Sequence, residues 1–159
     1  ALSDIEGIDT KLIEEALRRL KEYYDVQQRS FELTEIAGGY QIATRSDYGV
    51  WINKLYKRQQ DKLRGPSMET LAIIVYKQPV TKAEIEAIRG VNVDGVIKTL
   101  MEKNLVKIKG RKDIPGRPIL YGTTDEFLVR FGLKDIKSLP SLKEFTEKDL
   151  DYEKLKDRL

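Results

Sequence analysis

The 159-residue sequence contains no cysteine and no histidine. Without cysteine there is no disulfide, thiolate nucleophile or zinc ribbon, and without histidine there is no Ser-His-Asp triad, imidazole base or histidine-ligated metal. No apolar run approaches the roughly 18 residues of a membrane-spanning helix, and no signal-peptide pattern opens the chain. We therefore expect a soluble protein with no bound metal and no cofactor, and a cytoplasmic location fits the lack of cysteine, although many secreted proteins also lack it.

A large excess of charge of one sign is also absent, because 29 Lys and Arg residues stand against 26 Asp and Glu residues. The net charge of +3 favours polyanionic partners only weakly. Apolar residues make up 40% and charged residues 35% of the chain. This balance is typical of globular proteins rather than of disordered or membrane proteins.

No motif of the sequence predicts an enzyme. Gly90 and Gly95 have the four-residue spacing of a phosphate-binding loop, but the Lys-Ser/Thr pair that must follow is missing. Carboxylate pairs such as Glu84 and Glu86 lie at ordinary polar positions of a predicted helix. We therefore predict that the protein is not an enzyme.

An internal repeat organises the chain. At an offset of 83 residues, the segment 2–9 aligns with the segment 85–92, and both have the pattern apolar-x-x-Ile-x-Gly-apolar-Asp/Asn. The spacing predicts a short helix, a turn at the glycine and a longer helix in each copy. Asp9 and Asn92 are predicted to cap the two longer helices.

Each longer helix is followed by a predicted β-hairpin. Residues 31–36 and 40–44 alternate around Gly38-Gly39, and residues 105–109 and 119–121 flank a longer loop. Helix, helix and a two-stranded ribbon is the order of a winged helix. We predict an α+β fold, mostly α with small β-hairpins, made of tandem winged helices.

The predicted domains are a first winged helix with its linking helix (1–63), a second winged helix (64–132) and a flexible C-terminal tail (133–159). Ser67 is predicted to cap the first helix of the second domain, and Thr81 and Glu84 to form a capping box. After the second hairpin, Thr124 is predicted to cap a helix that Gly132 ends. The first domain lacks its opening helix and the chain does not begin with Met, so we expect a further N-terminal segment.

Winged helices often bind DNA, but both longer helices are poor base readers. The first exposes carboxylates in its leading half, and the second begins Val93-Asp94-Gly95 with Lys98 as the one nearby cation. The second hairpin differs, because residues 98–117 contain seven basic and two acidic residues. This wing is either a solvated hairpin or a phosphate-binding surface. The possible phosphate contacts are Lys107, Lys109, Arg111, Lys112 and Arg117.

Two helices have more apolar residues than one narrow stripe needs. In the linking helix, predicted over residues 46–62, they include Trp51, Leu55 and Tyr56, which face either a partner or the neighbouring domain. In the second domain, Ile97 and Met101 flank the main apolar face of their helix. They line a groove for a partner or broaden the core contact.

Several longer motifs resemble the bacterial segregation and condensation protein B family. The most specific is Gly-Arg-Pro-Ile-Leu-Tyr-Gly-Thr-Thr at residues 116–124, in which Gly116 and Gly122 are expected at backbone turns. The others are at residues 37–40, 71–81, 84–85, 88–91, 126–128, 131–133 and 139–142. The likeness covers nearly the whole chain, and the family's usual helix and turn before residue 1 are missing here.

This resemblance implies a non-enzymatic accessory subunit of the bacterial condensin, close to the nucleoid. Such a protein forms a homodimer and binds the central region of the kleisin subunit, which bridges the heads of the SMC ATPase. It supports chromosome condensation and segregation, without a membrane contact and with DNA contact at most weak and non-specific.

The resemblance also suggests a role for each domain. It implies that the first domain forms the dimer and that the second binds the kleisin. We predict that Trp51, Leu55 and Tyr56 lie near the self-association surface, and that Ile97 and Met101 lie near the kleisin. The alternative is a winged-helix transcription or nucleoid regulator, which would bind its own site far more tightly than random DNA.

Overall fold

A computed structural model describes residues 9–56, 63 and 65–140 of the chain, without the side chain of Tyr56. The chain divides into two compact units between Gln59 and Gln60. In the described ranges, no helix is both long enough and apolar enough to cross a membrane. The same ranges contain no group of three or more acidic side chains arranged to hold a metal ion.

The first unit consists of a long helix, a β-hairpin and a second helix. Its elements are α1 (Thr10–Val26), β1 (Phe31–Ile36), β2 (Gly39–Thr44), a 3₁₀ turn (Ser46–Tyr48) and α2 (Gly49–Tyr56). Asp9 caps α1 as predicted, because its carboxylate accepts the backbone N–H of Lys11 at 3.1 Å. The hairpin turns at Ala37 and Gly38, both with positive φ, as a two-residue hairpin turn requires.

Aromatic packing and one arginine hold α1 against the hairpin. Tyr24 and Phe31 meet edge to face, with ring centroids 5.0 Å apart. Arg45, directly after β2, donates to the carboxylate of Asp25 at 2.6 Å and to the carbonyl of Arg29 at 2.8 Å. These bonds connect the end of the hairpin to the end of α1.

The second unit has the element order of a complete winged helix. Its elements are α3 (Gly65–Lys77), β3 (Val80–Thr81), α4 (Lys82–Arg89), α5 (Asp94–Glu102), β4 (Val106–Arg111), β5 (Ile119–Thr123) and α6 (Asp125–Phe131). The antiparallel sheet has the order β3-β5-β4, so the strand between the first two helices pairs with the last strand. The predicted α+β fold with winged helices is confirmed. The two-residue β3 was not predicted, because it is too short to show alternation.

The core of the second unit is apolar and continuous. Its eleven buried members come from α3, α4, α5, α6, β3, β4 and the residue before each of α5 and β4: Leu71, Ile74, Val75, Val80, Ile85, Val93, Ile97, Leu100, Leu105, Val106 and Phe127. Burial of such side chains contributes roughly 25 cal/mol for each Å² removed from water. This core fixes the position of α5 and of the β4–β5 hairpin, here called the wing.

Several predicted helix ends are confirmed. Thr81 and Glu84 form the reciprocal capping box at the start of α4. Thr124 accepts the N–H of Phe127 at 3.1 Å to cap α6, and Gly132 ends that helix in the left-handed conformation with φ +65°. The sequence pattern therefore determines these ends locally.

Two predicted caps are placed differently. Ser67 lies inside α3 and does not cap it, because the helix begins two residues earlier, at Gly65. Asn92 is not the N-cap of α5, which is Val93, although its side chain accepts the N–H of Asp94 at 3.1 Å. Asn92 thus closes a turn just before the helix.

The predicted tail is folded over its described part. Leu133 and Leu139 pack against the core of the second unit, a 3₁₀ turn spans Ile136–Ser138, and the hydroxyl of Tyr76 donates to the carbonyl of Pro140 at 3.0 Å. The expectation of an extended or mobile tail is therefore wrong for residues 133–140, because two leucines suffice to dock so short a segment. Residues 141–159, the second half of the linking helix (57–62) and the first short helix of the repeat (2–8) lie outside the described residues.

Candidate functional site

The first candidate surface is the apolar face of α2, formed by Val50, Trp51 and Leu55. Trp51 is 67% and Leu55 76% exposed, and Val50 is exposed as well. The ammonium of Lys54 lies 5.3 Å from the ring centroid of Trp51, within cation–π distance. The structure therefore leaves two of the predicted self-association residues accessible. The third, Tyr56, ends α2, and its side chain lies outside the described part.

A second apolar surface was not singled out from the sequence. The helix α1 is strongly amphipathic, yet none of its residues is buried. The exposed members include Leu12 (63% exposed), Leu20 and Tyr23. Here we call this surface the α1 stripe. Its 3.6-residue periodicity is visible in the sequence, but periodicity alone does not tell whether a stripe faces a core or solvent.

The structure separates the two residues predicted to lie near the kleisin. Ile97 is only 4% exposed and belongs to the core of the second unit, so it cannot contact a partner directly. Met101 lies one turn further along α5 and is 37% exposed. The prediction is therefore wrong for Ile97, whose side chain broadens the core contact. Met101 stays a candidate, with a flexible thioether that adapts to varied surfaces.

The five predicted phosphate contacts all lie on the wing or its loop, but one of them is already paired. The ammonium of Lys112 lies 2.7 Å from a carboxylate oxygen of Glu84. For the other four, Lys107, Lys109, Arg111 and Arg117, the described part of the chain places no carboxylate within 4 Å of the charged group. We call these four residues the basic wing surface.

Glu84 connects the start of α4 to the loop of the wing. One carboxylate oxygen accepts from Lys112, and the other accepts the backbone N–H and the hydroxyl of Thr81, both at 2.8 Å. The bond from Lys112, followed by the two from Thr81, lowers the pKa of Glu84 from 4.5 to about 2. These bonds favour the ionised form of the carboxyl group.

This pKa predicts a pH-dependent contribution to stability. A lowered folded-state pKa contributes stability above the ordinary value of 4.5, and that stability is lost as the pH falls toward about 2. The melting temperature of Glu84→Gln should therefore lie below that of the wild type by a constant margin above pH 5. This difference in melting temperature should shrink between pH 4.5 and pH 2. It should be smaller at every pH when Glu84→Gln is introduced into Lys112→Gln instead of into the wild type. A margin that is independent of pH would contradict this role.

Gly122 on β5 was predicted to serve a turn, but it lies inside a strand. Its role is close approach, because a Cβ added there would lie 2.8 Å from Lys109 Cγ and 2.8 Å from Gln78 Oε1. The Gln78 oxygen already accepts two hydrogen bonds from Thr123, one from the backbone N–H at 2.7 Å and one from the hydroxyl at 3.0 Å. Gly116, in contrast, is at the predicted turn, with φ +85°.

Comparison with known proteins gives a consistent result over most of the chain. A family model described as "Segregation and condensation complex subunit ScpB" matches residues 1–142. Segregation and condensation protein B of Syntrophotalea carbinolica is 48% identical over 139 residues, which cover 87% of this chain and 71% of that protein. The protein of the same name from Moorella thermoacetica is 46% identical over 138 residues, with the same two coverages.

Solved structures are similar to the chain as well. ScpB from Mycobacterium tuberculosis is 30% identical, with 79% of this chain and 78% of that chain covered and a TM-score of 0.45. A conserved hypothetical protein from Chlorobium tepidum is 37% identical at the same coverages, with a TM-score of 0.43.

Proposed function

Because the chain belongs to the segregation and condensation complex subunit ScpB family, we propose that it is a non-enzymatic accessory subunit of the bacterial SMC–kleisin condensin. In this role it binds the kleisin subunit, reaches the SMC ATPase through it, and supports chromosome condensation and segregation in the cytoplasm. The observation that carries the proposal is the family match over residues 1–142. The protein needs no cofactor for this work.

The exposed apolar surfaces of the first unit support self-association. The α1 stripe and the α2 apolar face expose large side chains such as Leu12 and Trp51. Tryptophan is among the side chains that contribute most binding free energy when an interface covers them, and burial of aliphatic side chains adds to it. We propose that a second copy of the chain covers part of these surfaces, so that the protein acts as a homodimer.

The exposed end of α5 in the second unit supports kleisin binding. Leu100 and Ile97 anchor α5 in the core, and Met101 extends from the same helix toward solvent. A rigid helix that presents one adaptable apolar side chain suits the docking of a partner segment. We propose that Met101 contacts the central region of the kleisin.

A sequence-specific DNA regulator is less well supported. Base readout in the major groove needs cations or amides at the start of the recognition helix. In α5 this position holds Asp94, whose carboxylate is paired with Lys82. This carboxylate would repel phosphates, and Lys82 of α4 is already paired with it.

Titration calorimetry with the kleisin's central fragment tests the proposal. The wild-type chain should bind the fragment, and Met101→Glu should weaken binding at least about tenfold, because a charge at an apolar contact must be desolvated. Ile88→Glu is the matched control, since Ile88 is exposed on α4 of the same unit. Melting temperatures of both variants should stay near that of the wild type. If the wild-type chain fails to bind the fragment, the proposed function is wrong. If the wild type binds and Met101→Glu binds with the same affinity, the assignment of Met101 is wrong.

A further inference from the structure

We propose that the basic wing surface (Lys107, Lys109, Arg111 and Arg117) binds the phosphate backbone of duplex DNA without reading its sequence. Residues 106–117 contain five basic residues and one acidic residue, a local charge of +4 in a chain of net charge +3. Such a surface would give the subunit a direct contact with DNA, in addition to the contacts proposed above. The inference rests on the wing alone and does not depend on kleisin binding or on self-association.

The two lysines lie on one face of the sheet. Lys107 is directly opposite Gly122 in the register of β4 and β5, and directly paired residues project to the same face. The aliphatic stem of Lys109 lies where a Cβ of Gly122 would be, with Lys109 Cγ and Cε 2.8 and 2.9 Å from that position. Glycine therefore lets Lys109 lie across β5 beside Lys107.

The two arginines are held together at the loop of the hairpin. Arg111 is paired with Ile119, so it projects to the face of the sheet opposite Lys107, and a duplex that contacts all four cations lies across the end of the wing. Arg111 donates from Nη1 to the carbonyl of Arg117 at 3.0 Å, which closes the loop between β4 and β5. This bond uses one of the five guanidinium N–H donors of Arg111, so four remain for a ligand. Arg117 has φ +40°, and its side chain is exposed. Guanidinium groups suit phosphate because their planar N–H donors match its oxygens.

The surrounding charges leave these four cations available. Within residues 9–56, 63 and 65–140, no carboxylate comes within 4 Å of any of them. The nearest acidic group in sequence, Asp113, lies on the loop, and Glu84 is occupied by Lys112.

Charge density favours DNA over an acidic polypeptide. A duplex presents one negative charge for about every 1.7 Å of its axis, so a two-stranded ribbon meets several phosphates at once. An extended acidic peptide supplies at most one carboxylate for about every 3.3 Å. Because α5 offers no base-reading set, the contact should be indifferent to sequence.

Fluorescence anisotropy with the full chain and two unrelated 30-base-pair duplexes tests the proposal. The variant Lys107→Gln/Lys109→Gln/Arg117→Gln removes three of the four cations and keeps Arg111, which closes the loop. The control Lys11→Gln/Lys21→Gln/Lys137→Gln lowers the net charge equally at exposed sites elsewhere. Both variants should retain the wild-type melting temperature, because all six side chains are exposed.

The expected result is salt-dependent binding of both duplexes with equal affinity. For each wing that contacts DNA, the wing variant should reduce the magnitude of the slope of log K against log salt by about 2.7. Raising the salt from 50 to 200 mM should therefore weaken DNA binding by the wild type about 40-fold more than it weakens binding by the variant. The control should bind like the wild type at 50 mM, whereas the wing variant should bind about tenfold more weakly or worse. An equal loss of DNA affinity in both variants would show that the effect depends on net charge alone, and it would overturn the proposal. Normal DNA binding by the wing variant, with loss of poly-L-glutamate binding instead, would assign the surface to an acidic polypeptide.

Discussion

Alanine at position 97 should lower the free energy of unfolding of the second unit by about 2–5 kcal/mol. Ile97 is 4% exposed and packs in the core with Leu100 and Val93, so truncation removes buried methyl and methylene groups and leaves a cavity. Met101→Ala, one turn away on the same helix, is the matched comparison. It should cost less than about 1 kcal/mol, because its side chain is 37% exposed.

Urea unfolding followed by circular dichroism measures both variants, and hydrogen exchange of the α5 amides assigns the change to the second unit. The account requires the order Ile97→Ala, then Met101→Ala, then wild type in increasing stability. If Ile97→Ala were as stable as the wild type and bound the kleisin fragment poorly, Ile97 would be a surface contact after all. The burial described for α5 would then be wrong.

Glutamate at position 51 should weaken self-association by a factor of at least about 30, or 2 kcal/mol or more. Trp51 exposes 67% of its surface on α2, so the substitution does not disturb a core. In a dimer that covers this face, however, the carboxylate would be desolvated without a partner, and the contact area of the indole would be lost.

Sedimentation equilibrium over a range of concentrations measures the dissociation constants of wild type and variant. Ile114→Glu serves as the control, because Ile114 is also exposed but lies in the loop of the wing. It should associate like the wild type. Identical dissociation constants for Trp51→Glu and wild type would exclude the α2 apolar face from the dimer interface. The α1 stripe would then be the remaining candidate surface of the first unit.

Local chemistry made much of the fold predictable. The capping box at Thr81, the cap at Thr124 and the left-handed glycine at position 132 depend on neighbouring residues alone, so the sequence indicated them correctly. The strand β3 and the folded segment 133–140 depend on partners distant in sequence. The two residues of β3 are a strand only because β5 is beside them, and Leu133 and Leu139 are ordered only by the core.

The candidate surfaces were predictable to a smaller extent, and for a related reason. Helical spacing placed Ile97 and Met101 beside the same apolar face, but burial separated them because α5 contacts the core along one edge only. Likewise, composition counted Lys112 among the basic residues of the wing, whereas the fold brings Glu84 against it from α4. Tertiary contacts therefore determine which residues of a sequence pattern stay accessible to a partner.

The measurement that tests the central claim most directly is the light-scattering mass after size exclusion, with and without the kleisin's central fragment. One chain has a mass of 18.4 kDa. The account predicts a mass near twice that value for the protein alone, and a stable complex of larger, defined mass when the fragment is added. A monomeric chain whose mass and elution do not change with the fragment would contradict the assignment to the kleisin-binding subunit of a condensin.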